Sequence, residues 1–185
     1  MSNVTYEQAV RSREKANRMR KRNFRVLECS IRGYKPCSPL IAKVTVFGKT
    51  FTIEEWYQKS KGVNGAFVDP DRNPYMMRGI TPDFYEINRK RFGINFGQRW
   101  YNYLWYVYLE SNPEVVQYLS NYGDYSDFFR HRDIHYSQAH SIYSYMYDYE
   151  KFKKDALLVE QLVFPQPDSP QNTITSPSLI FKSTL

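Results

Sequence analysis

The sequence predicts one compact α+β domain, mostly α-helical, in which a small N-terminal β-hairpin leads into a short helix. A chain of 185 residues is long enough to bury one substantial core and too short to form two. Residues 40–51 alternate between apolar and polar side chains around Gly48, as the strands of a hairpin do. Residues 98–110 are densely aromatic and lack glycine and proline, which is typical of a buried helix. We divide the chain into a basic, helical arm over 1–25, a domain over 26–163 and a Pro-, Ser- and Thr-rich tail over 164–185 that we predict to be disordered.

The arm combines helical composition with a cluster of positive charge. Residues 6–25 contain no proline or glycine and are rich in Ala, Glu, Lys and Arg, which favours a polar helix. From residue 11 onward eight cations face one carboxylate, Glu14, in a protein of net charge +7. Such a cluster attracts the phosphates of nucleic acid or of an acidic ligand, although a solvated helix on a basic protein explains it equally well. The candidate nucleic-acid contacts are Arg11, Arg13, Lys15, Arg18, Arg20, Lys21, Arg22 and Arg25.

Extended structure follows the arm, and a hairpin over 40–51 with its turn near Gly48 then delivers the chain into a helix. This helix begins at Thr52, because Thr52 and Glu55 have the spacing of a capping box. We expect Glu55 and Lys59 to form a solvated ion pair four residues apart. The side that faces the core is formed by Ile53, Trp56, Ser60 and Val63.

A third side of the same helix has no structural explanation in the sequence. It carries a carboxylate, a phenol, an amide and an ammonium group in one row, at Glu54, Tyr57, Gln58 and Lys61. Such a row is either a polar boundary or the wall of a binding site.

The remainder of the chain alternates between loops and helices. Residues 62–82 are interrupted by glycines and prolines, and a long loop in a compact domain is usually functional or disordered. A Thr-Pro pair predicts a helix over 82–91, and an Asn-Pro pair predicts another over 113–119. For 138–159 we predict one long helix with tyrosines on several sides, in preference to the strand that the alternating tyrosines also allow.

No motif for a metal or a cofactor is present. Cys29 and Cys37 are the only cysteines, and two thiols in a chain of this size indicate a reduced, cytosolic protein. His131 and His135 would share one side of a helix, with Asp133 able to orient one of them, but a metal site needs a further ligand. No apolar run approaches the roughly 20 residues of a membrane span. We therefore expect a soluble, cytoplasmic protein without a cofactor.

Three parts of the stretch before residue 62 occur together in a known family. Ser38-Pro39, the hairpin around Gly48, and Glu54 followed by Gln58 and Lys61 resemble the N-terminal motif of the NADAR family, the NAD- and ADP-ribose-associated domains. That family has, in this order, a Ser-Pro, a hairpin with a glycine turn and a Thr-Val-Glu-His-Tyr-Phe-Gln-Ala-x-Lys helix. A weaker similarity continues at Trp100, Asn112-Pro113 and Gly123-Asp124.

This sequence also departs from the family at three places. The family's Ser-Asn-Phe before the Ser-Pro is not preserved around Tyr34-Lys35-Pro36. Glu55 stands where the family has a histidine, and the family's C-terminal Asp-x-x-Trp-Gly segment has no clear counterpart here.

The resemblance implies cleavage of N-glycosidic bonds in ADP-ribosyl or related N-ribosyl nucleotides, including ADP-ribose attached to guanine in nucleic acid. Such cleavage passes through an oxocarbenium-like ribosyl cation, which requires a carboxylate and a donor for the leaving group. The resemblance assigns the carboxylate role to Glu54 and implies that Lys61 either binds phosphate or polarises the leaving group. The substrate-binding residues it implies are Gln58 for the ribose hydroxyls, Tyr57 or Trp100 for stacking the base, and Asp124 or Asp127 as a second carboxylate.

Two other functions stay open. The basic arm and the many aromatic residues favour a non-catalytic protein that binds nucleic acid. A pocket that binds a nucleotide without turnover would serve as a sensor, and the polar row on the Thr52 helix fits that function as well as it fits an enzyme.

Overall fold

The computed structural model describes residues 6–19, 25–65, 72–127 and 137–164. These residues form an α+β fold that is mostly α-helical, as predicted. The helices are α1 (Tyr6–Met19), α2 (Ile53–Lys59), α3 (Phe96–Glu110), α4 (Pro113–Leu119), α5 (Gln138–Tyr147) and α6 (Tyr149–Val163). The strands are β1 (Val26–Glu28), β2 (Lys43–Val46), β3 (Lys49–Thr52), β4 (Lys61–Gly62), β5 (Phe84–Ile87), β6 (Lys90–Gly93) and β7 (Asp124–Ser126).

Helix α3 lies at the centre of the core. Its Trp100, Leu104 and Trp105 are fully buried, and α2, α4, α5 and α6 all pack against it. Burying one large apolar side chain contributes on the order of 2 kcal/mol, so this one helix supplies much of the hydrophobic stabilisation. The prediction of a buried aromatic helix is confirmed. Within the described ranges, no helix combines the length and the apolar character that crossing a membrane requires.

Three small sheets surround this helical core. Strands β1 and β7 pair in parallel, with Leu27 opposite Tyr125. Strands β2 and β3 form the predicted N-terminal hairpin, and β4, β5 and β6 form an antiparallel sheet. The turn of the first hairpin places Phe47 at φ 50° and Gly48 at φ 72°, the two positive φ values that suit the right-handed twist of its strands. The hairpin therefore leads directly into α2, as the sequence predicted.

The predicted helix over 82–91 is wrong, because this segment forms the hairpin of β5 and β6. Tyr85 and Ile87 are buried while Phe84 and Glu86 are only half-buried, which is the alternation of a strand rather than the period of a helix. The two-residue turn that follows has positive φ values of 51° and 62°, at Asn88 and Arg89. Both central residues of a type I′ turn need positive φ, and asparagine tolerates it well.

The predicted long helix over 138–159 is two helices. The helical conformation is interrupted at Asp148, where φ is −127° and ψ is 39°, and α6 then runs to Val163. The helix predicted for the arm is confirmed over Tyr6–Met19. Several predictions fall outside the described residues, namely those for the tail beyond residue 164, for His131, Asp133 and His135, and for Arg20, Lys21 and Arg22.

Candidate functional site

Helix α2 is held in place at its N-terminal end by the capping box that the sequence predicted. The Thr52 amide donates to Glu55 Oε2 at 2.8 Å, and the Glu55 amide donates to Thr52 Oγ1 at 3.1 Å. The Glu54 amide donates to the carbonyl of Pro39 at 2.9 Å, so the Ser-Pro segment also positions the helix. Glu55 thus serves the cap instead of the predicted ion pair, and Lys59 Nζ donates to the Arg72 carbonyl at 3.1 Å. A helix of seven residues depends on such tertiary contacts, because helices this short are not stable alone.

The carboxylate of Glu54 is the centre of a polar cluster on one side of α2. Gln58 Nε2 donates to Glu54 Oε1 at 3.2 Å, and Arg78 Nε lies 3.3 Å from the same oxygen. The Glu54 side chain is 13% exposed and that of Arg78 is 53% exposed, so solvent reaches the pair from the arginine side. Gln58 is buried, and its Oε1 has no hydrogen-bond partner within the described part of the chain. An acceptor is therefore available next to the carboxylate.

Lys61 lies on the same side, at the start of β4, and is buried to 6% exposure. Its ammonium donates to two main-chain carbonyls, of Met77 at 3.3 Å and of Ile80 at 3.1 Å. Burial lowers the pKa of Lys61 below its ordinary value, and the negative charge of Glu54 opposes this shift. Lys61 therefore lies within the electrostatic reach of Glu54, but on β4 and not on the helix to which the sequence assigned it.

Tyr57 lies beneath Lys61, in the core. It is 5% exposed, its hydroxyl is 2.7 Å from that of Tyr85, and the Lys61 ammonium is 5.2 Å from its ring centroid. Its ring also makes an edge contact with Tyr101. The Tyr57 phenol, which the sequence assigned to the polar side of the helix, is therefore a core residue that packs against Lys61.

Trp100, on α3, lies on the other side of α2. Its ring is stacked on Tyr103, with centroids 5.6 Å apart, and meets Trp56 edge-on at 6.3 Å. Trp56 and Glu54 are two positions apart on α2, which is around 200° of helical rotation, so they lie on nearly opposite sides of the helix. Because Trp100 contacts Trp56, it lies on the side away from the carboxylate. It forms part of the wall of a cavity of about 640 Å³ that includes neither Glu54 nor Lys61.

Asp124 belongs to a different region, on β7. Arg13 of α1 holds its carboxylate with two hydrogen bonds, of 2.5 Å and 2.7 Å, and the Asn17 amide donates to it at 3.2 Å. Among the described residues, no hydrogen bond or ion pair links Asp124 to Glu54 or Lys61. Its observed contacts anchor α1 on the domain. Asp127, the alternative carboxylate, accepts a hydrogen bond from Ser137.

Arg78 is the residue of this cluster that the sequence did not identify. It lies in the segment between β4 and β5, directly before Gly79, which has φ 78°. The signal that was available is the long glycine-containing loop after the motif helix, because such loops are often functional. Its length did not reveal which side chain returns to Glu54.

No protein-family model matches this chain, and no curated protein matches it significantly. The polar cluster also lacks the ligands of a metal site. Within the described ranges, no group of three or more His, Cys, Asp or Glu side chains is arranged to hold a metal ion. The polar cluster therefore consists of one carboxylate, one amide and two cations.

Proposed function

We propose that the chain is an N-glycoside hydrolase that acts on an ADP-ribosyl or related N-ribosyl nucleotide, including one attached to nucleic acid. The observation that supports this most directly is the grouping of Glu54 with Gln58, Lys61 and Arg78 on one side of α2. The resemblance of the Glu54, Gln58 and Lys61 spacing to the NADAR motif agrees with this proposal.

The charges of the cluster suit such a substrate. Glu54 contributes one negative charge and Lys61 and Arg78 contribute two positive charges, so the site favours an anionic, phosphorylated ligand. Cleavage of an N-glycosidic bond develops positive charge on the ribosyl carbon, and a nearby carboxylate stabilises that charge or activates the attacking water. We assign this role to Glu54.

The other residues have matching roles. A lysine with a lowered pKa gives up its proton more readily at neutral pH, which suits Lys61 for donation to the departing base. The Oε1 atom of Gln58 would accept a hydrogen bond from a ribose hydroxyl, which would satisfy a buried acceptor. Arg78, which is more than half exposed, would bind a phosphate at the entrance. In this arrangement Tyr57 positions Lys61, and neither Trp100 nor Asp124 takes part.

The experiment is to incubate the protein separately with NAD, ADP-ribose, a ribosyl-aminopyrimidine phosphate and guanine-ADP-ribosylated DNA, and to follow the released base by mass spectrometry. We expect product from at least one substrate, and a loss of at least about a hundredfold in Glu54→Gln, as is usual for a catalytic acid or base. Glu55→Gln is the matched control, because it removes the same charge from the next residue while glutamine still serves a capping box.

Equal turnover in Glu54→Gln and the wild type would refute the role of Glu54. Tight binding of a nucleotide without any product would favour the sensor function instead.

A second candidate function is binding of nucleic acid through α1. Arg11, Lys15 and Arg18 are exposed on this helix, while Arg13 and Asn17 fix it to Asp124. Replacing Arg11 and Lys15 with glutamine should weaken binding to single-stranded DNA and reduce its salt dependence. An unchanged salt dependence would remove α1 from the interface.

The same proposal includes a cytoplasmic location. Cys29 and Cys37 are both buried free thiols, which fits a reducing compartment.

A further inference from the structure

A cavity lies on the side of α2 opposite the polar cluster. It has a volume of about 640 Å³, within the range of roughly 300–1,000 Å³ that is common for small-molecule sites. The hairpin of β2 and β3, the C-terminal half of α2 and the turn between β5 and β6 enclose it. Helical geometry places Trp56, Lys59 and the C-cap Ser60 on this side of α2 and Glu54 and Gln58 on the other.

Aromatic rings form the walls. Trp56 lies among them and meets Phe47, Phe51 and Trp100 edge-on, with centroid distances of 6.3, 5.1 and 6.3 Å. Its own indole is fixed, because Nε1 donates to the Val44 carbonyl at 3.1 Å. Rings held in this way form a preorganised apolar surface against which a flat molecule packs well.

One polar atom in these walls lacks a protein partner. Trp100 is fully buried, and its Nε1 has no hydrogen-bond acceptor among the described residues. A buried N–H group without an acceptor is destabilising. Because Trp100 is fully buried, a ligand in the cavity packs beside its ring without contacting this atom.

Three cations border the cavity: Lys49, Lys59 and Arg89. Lys49 and Arg89 are exposed on the two hairpins, and Lys59 Nζ lies 5.2 Å from the Phe51 ring centroid. The one carboxylate of the lining, Glu86, is paired with Arg91 at 3.1 Å, so its charge is already compensated. The border of the cavity is therefore positive.

We propose that this cavity binds a small planar anion, with its ring against Trp56 and Phe51 and its negative charge towards Lys49 and Arg89. The site is separate from the polar cluster, and it does not depend on the proposed hydrolase activity. A phosphate or a carboxylate would supply the same charge, so the ligand class is an aromatic ring system that carries either group.

Quenching of tryptophan fluorescence in the full chain tests this directly, because Trp56 and Trp100 line the cavity. The probes are AMP, adenosine, ribose 5-phosphate and nicotinate, a planar ring that carries a carboxylate and does not emit in the tryptophan range. We expect AMP and adenosine to differ by about tenfold in affinity or more, because only AMP has a charge for the cationic border. Ribose 5-phosphate lacks the ring and should also bind at least about tenfold more weakly than AMP. Nicotinate distinguishes a carboxylate ligand from a phosphate ligand.

Substitutions in the lining test whether AMP binds in this cavity. Lys49→Gln combined with Arg89→Gln should weaken AMP binding about tenfold, whereas Lys43→Gln, an exposed lysine on the same hairpin outside the lining, should leave it unchanged. Equal affinity for AMP and adenosine, or no binding of any probe, would overturn the proposal. Loss of AMP binding in Arg78→Gln but not in the double variant would also overturn it, because the ligand would then lie at the polar cluster.

Discussion

The steric environment of two glycines in the sheet of β4, β5 and β6 gives the sharpest test of the fold around the site. Gly62 on β4 and Gly93 on β6 are both cross-strand partners of Phe84 on β5. A Cβ atom at Gly62 would lie only 2.1 Å from Phe84 Cζ, whereas a Cβ atom at Gly93 would have no neighbour within 4 Å. We therefore expect Gly62→Ala to destabilise the protein and Gly93→Ala to leave it unchanged or slightly stabilised.

The size of the effect follows from the geometry at Gly62. Non-bonded carbon atoms approach to about 3.5 Å at closest favourable distance, so the Phe84 ring would have to move by more than about 1 Å. Arg91 limits that movement, because its guanidinium lies 4.4 Å from the centroid of the same ring. Overpacking of this kind costs about 1–3 kcal/mol, and alanine regains about 0.5–1 kcal/mol over glycine in a strand. From the middle of each range the expected net loss is about 1 kcal/mol, or roughly 2–4 °C in Tm for a chain of this length.

Urea unfolding of a double-mutant cycle measures this. In a Phe84→Ala background the clash is absent, so Gly62→Ala should no longer destabilise and the coupling free energy should equal the overpacking cost. Gly93→Ala is the matched control, because it makes the same substitution beside the same ring. If Gly62→Ala were equally destabilising in both backgrounds, the contact with Phe84 would not be the cause.

Three further perturbations test other parts of the structure. Thr52→Ala should cost about 1 kcal/mol in urea unfolding by removing the cap of α2, and Thr52→Ser should retain it; an unaffected alanine variant would contradict the cap. Arg13→Gln should speed amide exchange in α1 by loosening its contact with Asp124, and unchanged exchange would show that this pair does not anchor the helix. Above pH 10 the protein should lose stability, because burial raises the pKa of several tyrosines, four of them most strongly, so that the unfolded chain releases protons that the folded chain retains. The four tyrosines are Tyr103, Tyr108, Tyr125 and Tyr145. Tyrosinate absorbance should show that they ionise only as the protein unfolds. Full ionisation in the folded state would refute this prediction.

Local sequence signals predicted the elements whose cause is local. The first hairpin, the cap at Thr52 and the start of α4 depend on residues within a few positions of each other, and all three are confirmed. The prediction of a helix over 82–91 was wrong because a Thr-Pro pair is compatible with either a helix or an extended segment. Its strands are stabilised by pairing with β4, which lies some 20 residues earlier and gives no local signal.

The contacts of the candidate site are likewise of two kinds, those that follow from local spacing and those that depend on distant segments. Glu54 and Gln58 are four positions apart on one helix, so their proximity follows from helical geometry alone. Arg78 forms its ion pair with Glu54 because the loop between β4 and β5 folds back towards α2. Asp124 forms an ion pair with Arg13 because α1 packs against β7. Neither contact can be deduced from spacing, because each depends on how distant segments pack.

The loop that carries Arg78 explains why a lysine is buried at position 61. Among the described residues, Lys61 Nζ contacts this loop through the main-chain carbonyls of Met77 and Ile80, on either side of Arg78, so it helps to hold the loop in place. In return, Arg72 of the segment before it donates to the Lys61 carbonyl at 2.6 Å. The ammonium of Lys61 thus places a second cation next to Glu54 in addition to contributing its own charge. Replacing Lys61 would disturb both cations at once, and the effects of substituting Lys61 and Arg78 on any activity of Glu54 should therefore be less than additive.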